Sequence, residues 1–238
     1  MTLLKYEHIP IEESNDPLVD LTDYGFELEP AYYNDGLSDN PDMHLRKTVA
    51  ELLAALRDDL SPLNFKIWDG WRPREVQNKI YMKYWKEMAS EHQGWTEEQL
   101  LEQVGTFVTV ATDPNIIPIH ATGGSVDLTL VDVSGAELDM GTDFDHFGPE
   151  AAALYFEHHG ENETARDNRR LLREALTKAD FRYDDDEWWH FDYGNQIWAA
   201  ALDKPKAIYN EVTEKKFRRY RATVSRGAQP GIFISRNK

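Results

Sequence analysis

Two short segments hold the residues best suited to chemistry: His120 and Asp127 in His-Ala-Thr-Gly-Gly-Ser-Val-Asp, and Glu187 and His190 in Glu-Trp-Trp-His. Two imidazoles and a carboxylate supply three metal ligands and leave a fourth position open for water, the pattern of a catalytic rather than a structural zinc site. The dication brings the pKa of a bound water from about 15.7 toward ~7, so hydroxide becomes accessible near neutrality. Glu187, three residues before His190, is placed to take a proton from that water and return it to a departing amine. Arg72 is a permanently charged guanidinium that could stabilise an oxyanion beside the metal.

Each motif alone is weak. Glu-x-x-His is common by chance, and a lone arginine is more often a structural ion-pair residue. Competing chemistries are weaker still. The chain has no cysteine, no Gly-x-Ser-x-Gly elbow and no glycine-rich phosphate loop before a helix. The histidines at 8, 44, 92, 146, 158 and 159 lack a comparable context; His158 and His159 read as a helix-end pair.

The elements around these residues follow from periodicity. Leu45, Val49, Leu52, Leu53, Leu56 and Leu60 recur at steps of three and four and predict a helix from Met43 to Leu60. Phe65, Ile67 and Trp68 form a short strand before Asp69-Gly70, which places Arg72 at a strand-to-helix junction. Pro73 then opens a helix running to about Glu91. Thr96 and Gln99 form a capping-box signal for a further helix, with Gly105 as its expected end. Residues 106–119 read as a strand, a loop at Asp113-Pro114, and an extended entry to His120. Val126 to Val131 alternates as a strand, and Gly123-Gly124 permits the return that brings His120 near Asp127.

Met140 to Gly148 reads as a rim loop, Pro149 to His159 as a short helix, and Asn168 to Ala179 as a clearer one. Phe181–Tyr183 and Glu187–Tyr193 suggest a closing hairpin. Residues 1–42 show little periodicity and suggest an N-terminal arm or short strands over the core. Helices and short strands interleave without the regular alternation of a doubly wound sheet. The expectation is a single α+β domain over residues 1–238, with a mainly antiparallel sheet, helices on one side and the zinc candidates on the other.

Composition bounds the partners. Of 238 residues, 26 are Lys or Arg and 43 Asp or Glu, a formal charge of −17 that disfavours nucleic acid and anionic membrane surfaces. Residues 204–238 are the exception, with ten basic residues against two acidic ones, and read as a solvated segment packing on an acidic body. No signal-peptide run or membrane-spanning stretch stands out, so the expected location is cytoplasmic.

Taken together, the motifs resemble those of the D-alanyl-D-alanine dipeptidases, zinc peptidases known from vancomycin resistance and cell-wall recycling. The resemblance rests on Asp-Gly-Trp-Arg-Pro at 69–73, His120-x-x-Gly-x-x-x-Asp127-Leu-Thr-Leu, Met-Gly-Thr-x-Phe-Asp at 140–145, Asn-Arg-Arg-Leu-Leu at 168–172 and Glu-Trp-Trp-His at 187–190. It implies the fold shared by the D,D-peptidases and Hedgehog signalling domains. It also implies one Zn²⁺ per chain on His120, Asp127 and His190, with Glu187 as base and Arg72 as stabiliser of the tetrahedral intermediate. The substrate it implies is a small dipeptide, D-Ala-D-Ala first, with Asp145 as partner for the substrate ammonium.

One departure stands out. The family usually carries Ser two residues before the first ligand His, where this chain has Pro118, with neither hydroxyl nor N–H. Any substrate contact made there is lost or replaced, which leaves the exact dipeptide open. Two alternatives remain: a carboxypeptidase or endopeptidase of the same superfamily trimming peptidoglycan peptides, and a zinc-bound recognition module without catalysis.

Overall fold

The computed structural model describes residues 6–107, 116–146, 148–214 and 217. In chain order its elements are β1 (Leu18–Asp20), β2 (Glu27–Leu28), α1 (Ala31–Asn34), β3 (His44–Arg46), α2 (Lys47–Asp59), β4 (Asn64–Asp69), α3 (Arg74–Glu91) and α4 (Glu97–Phe107). There follow β5 (Ser125–Val131), α5 (Tyr155–His158), α6 (Glu163–Lys178), β6 (Arg182–Tyr183), β7 (His190–Asp192) and α7 (Gln196–Ala201). Among the described residues the main sheet has the strand order β2-β4-β5-β7-β6, antiparallel except where β2 lies parallel to β4. The expected α+β architecture with a mainly antiparallel sheet is what the chain forms.

Alternation along the strands separates a packing face from a polar one. Phe65 and Ile67 of β4, Val126, Leu128 and Leu130 of β5, and Phe191 of β7 join one buried cluster with Val49, Ala50 and Leu53 of α2 and Leu172, Ala175 and Leu176 of α6. The alternate positions of β5 and β7 include Ser125, Asp127, His190 and Asp192, paired as Ser125↔Asp192 and Asp127↔His190. Helices α2 and α6 therefore pack against the apolar face, and the site residues stand on the other. The whole of β5 is nonetheless buried, because the polar face is covered by the cluster it carries and by the segments around it.

Several boundaries differ from the sequence reading. The helix expected from Met43 begins at Lys47, since His44–Arg46 pair antiparallel with Leu18–Asp20 and this tertiary pairing overrides helical periodicity. The N-terminal segment thus contributes strands. The Thr96–Gln99 capping box forms, with Thr96 N–H on Gln99 Oε1 at 2.9 Å and Gln99 N–H on Thr96 Oγ1 at 3.3 Å, but α4 runs through Gly105 to Phe107. Residues 106–107 are accordingly helical, and 108–115 lie outside the described residues, as does most of the basic segment beyond Glu214. The extended entry to His120 is instead a 3₁₀ turn, Ile119–Thr122.

The helix expected at Pro149–His159 is split into a 3₁₀ turn, Pro149–Ala151, and α5. Ala152 turns to extended backbone, with ψ of 132°, and on either side of it the Ala153 N–H donates to the Asp185 carbonyl and the Ala151 carbonyl accepts from the Trp188 N–H, so the helical ladder is interrupted there. Helix α6 starts at Glu163, five residues before the expected Asn168, because Asn162 caps it by accepting from the Ala165 N–H. No helix among the described residues is long and apolar enough to cross a membrane.

Candidate metal centre

Two strand features and one turn assemble the centre. The β5–β7 register sets Asp127 directly opposite His190. A register shift in β4 between Ile67 and Asp69 sets Asp69 opposite Asp127, whereas strict alternation would have kept it on the face of Phe65 and Ile67. Bulges are a common means of re-aiming a side chain into a site. His120 comes from the 3₁₀ turn, which closes at Gly123 with φ of +74°, a conformation that favours glycine. At Gly124 a Cβ would stand 2.2 Å from the Tyr193 carbonyl oxygen, so the return after His120 also needs a residue without a side chain.

His120, Asp127 and His190 are all buried and converge. His120 Nε2 lies 3.2 Å from His190 Nδ1 and 3.4 Å from Asp127 Oδ2, and His190 Nδ1 lies 2.9 Å from Asp127 Oδ1. Tetrahedral zinc with bonds of roughly 2.0–2.1 Å has ligand-to-ligand edges of about 3.3 Å. The donor set and its spacing fit zinc.

The outer ring nitrogens fix the tautomers. His120 Nδ1 is 2.9 Å from the Gly70 carbonyl, which can only accept, so Nδ1 carries the proton and Nε2 turns its lone pair inward. His190 Nε2 donates to Asp192 Oδ1 at 3.1 Å, leaving Nδ1 inward. Asp192 is itself held by Ser125 Oγ at 2.7 Å, Asn195 Nδ2 at 2.7 Å and Arg182 Nη1 at 3.1 Å. Burial disfavours the charged His190 ring, yet Asp192 and Asp127 outweigh it and raise the imidazole well above its ordinary pKa. Burial likewise works to raise Asp127, but His120 and His190 prevail and hold its carboxyl far below the usual carboxylate range. The centre favours a negative Asp127 with positive charge between it and the rings, the charge pattern a cation satisfies.

Arg72 is buried beside this cluster with its donors engaged. Its Nε meets Asp69 Oδ2 at 2.7 Å, Nη1 meets Gln77 Oε1 at 2.8 Å, and Nη2 meets Tyr32 Oη at 3.2 Å and Asp127 Oδ2 at 3.3 Å. Its guanidinium carbon also lies 4.4 Å from the Tyr32 ring centroid. Burial opposes the charge, and Asp69, Tyr32 and Asp127 restore it, raising the guanidinium pKa further.

Tyr32 Oη donates to Asp145 at 3.2 and 3.4 Å from its two oxygens, linking the rim to Arg72. Asp145 has a φ of +57°, uncommon for a residue with a Cβ. Burial and the charge of Asp127 push its carboxyl up to about 7 against the pull of Arg72. Glu187 is half-buried, and its carbonyl accepts from the His190 N–H at 3.3 Å across one tight turn. Burial raises its carboxyl well above the ordinary value, with Asp184, Asp127 and Asp145 adding to the effect and His190 opposing it.

The structure thus brings His120, Asp127 and His190 together, sets Arg72 against Asp127, and ties Asp145 to Arg72 through Tyr32. Glu187 is placed by its backbone one turn from His190. Sequence reading missed Tyr32, Gln77 and the Ser125–Asp192–Asn195–Arg182 network, and gave Asp69 no role. Asp192 had a signal: two residues after His190 in a strand, it must share that residue's face. His146 is exposed, 3.5 Å from Glu150, and His159 Nδ1 bonds the Tyr155 carbonyl at 2.9 Å; neither joins the cluster.

Residues 43–211 match the family model for peptidase M15, described as D-ala-D-ala dipeptidase. The D-alanyl-D-alanine dipeptidase of Synechocystis sp. is 28% identical over 221 residues, covering 83% of this chain and 90% of that one. Its Escherichia coli K12 namesake is 31% identical over 133 residues, 56% of each chain. The solved structure of VanYB in complex with D-Alanine-D-Alanine aligns with a TM-score of 0.43 at 19% identity, over 68% of this chain and 77% of that one, too remote a likeness to carry an argument. The family match spans well over half of the sequence and contains Arg72, His120, Asp127, Asp145, Glu187 and His190. The chain belongs to the D-Ala-D-Ala dipeptidase family of zinc metallopeptidases.

Proposed function

We propose that this chain hydrolyses a small dipeptide, D-Ala-D-Ala first among candidates, with one Zn²⁺ per chain held by His120 Nε2, His190 Nδ1 and the Asp127 carboxylate. The observation that carries the reading is the tetrahedral-edge spacing of those atoms together with the engaged outer nitrogens of both rings. When bound, zinc would supply Lewis-acid polarisation of the peptide carbonyl and a water acidified toward ~7.

The remaining steps belong to the side chains. Glu187 accepts the proton that the attacking water loses and delivers it to the amide nitrogen as the C–N bond breaks, so hydroxyl ends on the acyl half and hydrogen on the amine half. Its raised basicity suits it to accept that proton. Arg72 offers a fixed positive charge to the oxyanion, preorganised by Asp69, Gln77 and Tyr32. Asp145, oriented by Tyr32, pairs with the substrate's free ammonium. An anion there favours a dipeptide with a free amine over a longer peptide whose corresponding nitrogen is acylated and neutral.

The test is amino-acid release from D-Ala-D-Ala, its stereoisomers and a stem pentapeptide, before and after chelation and zinc restoration. Zinc-restorable cleavage of the dipeptide supports the reading. Preference for the pentapeptide would make the chain a carboxypeptidase, and zinc binding without cleavage of any substrate would make it a recognition module.

A further inference from the structure

The segment Asn-Arg-Arg-Leu-Leu at 168–172 has no part in the chemistry above, yet Arg169 of α6 is buried and, among the described residues, has no carboxylate within hydrogen-bonding distance. Its Nε donates to the Met140 carbonyl at 2.7 Å, its Nη1 to the carbonyls of Glu150 and Ala152, each at 2.9 Å, and its Nη2 reaches Thr142 Oγ1 at 3.5 Å. The cation also lies against two aromatic faces, 4.7 Å from the Phe156 centroid and 5.4 Å from that of Trp188. Neighbouring Asn168 Nδ2 donates to the Asp139 carbonyl at 2.8 Å. Burial lowers the Arg169 pKa to about 10, as expected where carbonyl dipoles replace a counter-ion, and the group stays charged at neutral pH.

These acceptors belong to the two ends of the rim that carries Asp145. Between them, Phe144 stacks on Trp68 at 4.8 Å and meets Trp189 edge-on at 5.5 Å, so the stretch before Asp145 is pinned on both sides. The same rim is bonded to the segment that carries Glu187: Trp188 N–H donates to the Ala151 carbonyl at 2.9 Å, Trp188 Nε1 to Thr142 Oγ1 at 2.8 Å, and Ala153 N–H to the Asp185 carbonyl at 3.0 Å. Arg169 therefore sits where the two walls meet, one bearing Asp145 and the other Glu187.

We propose that Arg169 is a positioning residue that fixes the Asp145-bearing rim against the Glu187-bearing turn, and so sets the separation at which the two carboxylates face a dipeptide. The inference rests on the dipeptidase reading for its kinetic consequence, though not for its structural one. A planar fork with five donors satisfies acceptors in three directions, whereas a lysine ammonium has the charge without the reach.

Arg169→Lys is the test, in the full chain loaded with zinc. Expected are wild-type zinc stoichiometry, a fall in kcat/KM for D-Ala-D-Ala on the order of 10²-fold, and a KM effect that disappears in an Asp145→Asn background. Amide exchange in the same variant should quicken over Met140–His146 and at Glu187–Trp188 while staying slow over Val126–Val131. A lowered Tm with unchanged KM would reduce Arg169 to a space-filling role. Full additivity with Asp145→Asn, or unaltered exchange at the rim, would overturn the proposal. If Arg169→Lys does not fold, Thr142→Val removes the hydroxyl shared by Trp188 and Arg169 and should give the same pattern at smaller size; unaltered exchange there would likewise overturn it. Should the wild-type protein cleave no dipeptide, the functional reading fails while the exchange measurement still decides the role of Arg169.

Discussion

Asp192 Oδ1 stands 3.1 Å from His190 Nε2, the ring nitrogen that faces away from His120 and Asp127. The contact makes His190 present Nδ1 inward, and Ser125, Asn195 and Arg182 hold Asp192 in turn. Removing such a partner typically weakens metal affinity by roughly 10–100-fold. Asp192→Ala should therefore raise the zinc dissociation constant by about that factor, read by competition with a calibrated chelator. Unchanged affinity would show that β7 alone orients the ring.

Glu187 and His190 lie one turn apart and should fail differently. Glu187→Ala should retain zinc and lose about 10²–10⁴-fold in kcat, the range for a general base. His190→Ala should lose zinc itself. Metal analysis alongside kinetics separates the two, and a Glu187→Ala protein with wild-type turnover would remove that carboxylate from the reaction.

What the sequence made legible, and what it did not, divides along a physical line. His120, Asp127 and His190 could be singled out as a candidate cluster because a catalytic zinc site draws on a few residue types and because strand alternation and a glycine return constrain where they stand, and the structure brings the three together. Asp192 was within reach of the same alternation. Asp69 was not, since its place on the site face depends on a register shift that no local pattern announces. Tyr32 comes from a four-residue helix with no periodicity to read, and its contact with Asp145 spans 113 positions. The helix expected from Met43 lost its first turn to pairing with Leu18–Asp20, and the helix expected from Pro149 is interrupted at Ala152, where the backbone on either side bonds Asp185 and Trp188 instead. In both cases a distant partner outbid local propensity.

Arg72 donates to Asp69, Gln77, Tyr32 and Asp127, so its removal should have two separable effects. Loss of a preorganised oxyanion donor typically costs about 10²–10³-fold in kcat. Leaving Asp69 and Asp127 without their buried cation should destabilise the fold by roughly 3–5 kcal/mol. Arg72→Ala, assayed at a temperature where it remains folded and with zinc content confirmed, should show both. A destabilised variant with wild-type kcat would leave Arg72 a purely structural ion-pair residue.

Asp145 gives the metal-free protein a pH dependence whose sign can be worked out. Burial and Asp127 push its folded pKa up to about 7 from an ordinary 3.8. Between those values the folded chain holds a proton that the unfolded chain has released, so its contribution to stability declines as pH rises. The contribution is fully present below the ordinary value and gone above about 7. Asp145→Asn cannot titrate. The stability of wild type relative to Asp145→Asn, from urea unfolding of both metal-free proteins between pH 4 and 8, should therefore fall across the window and level off above about 7. A difference that stays constant with pH would mean that Asp145 titrates as an ordinary exposed carboxylate, and would remove the argument that the cleft primes it to capture a cation.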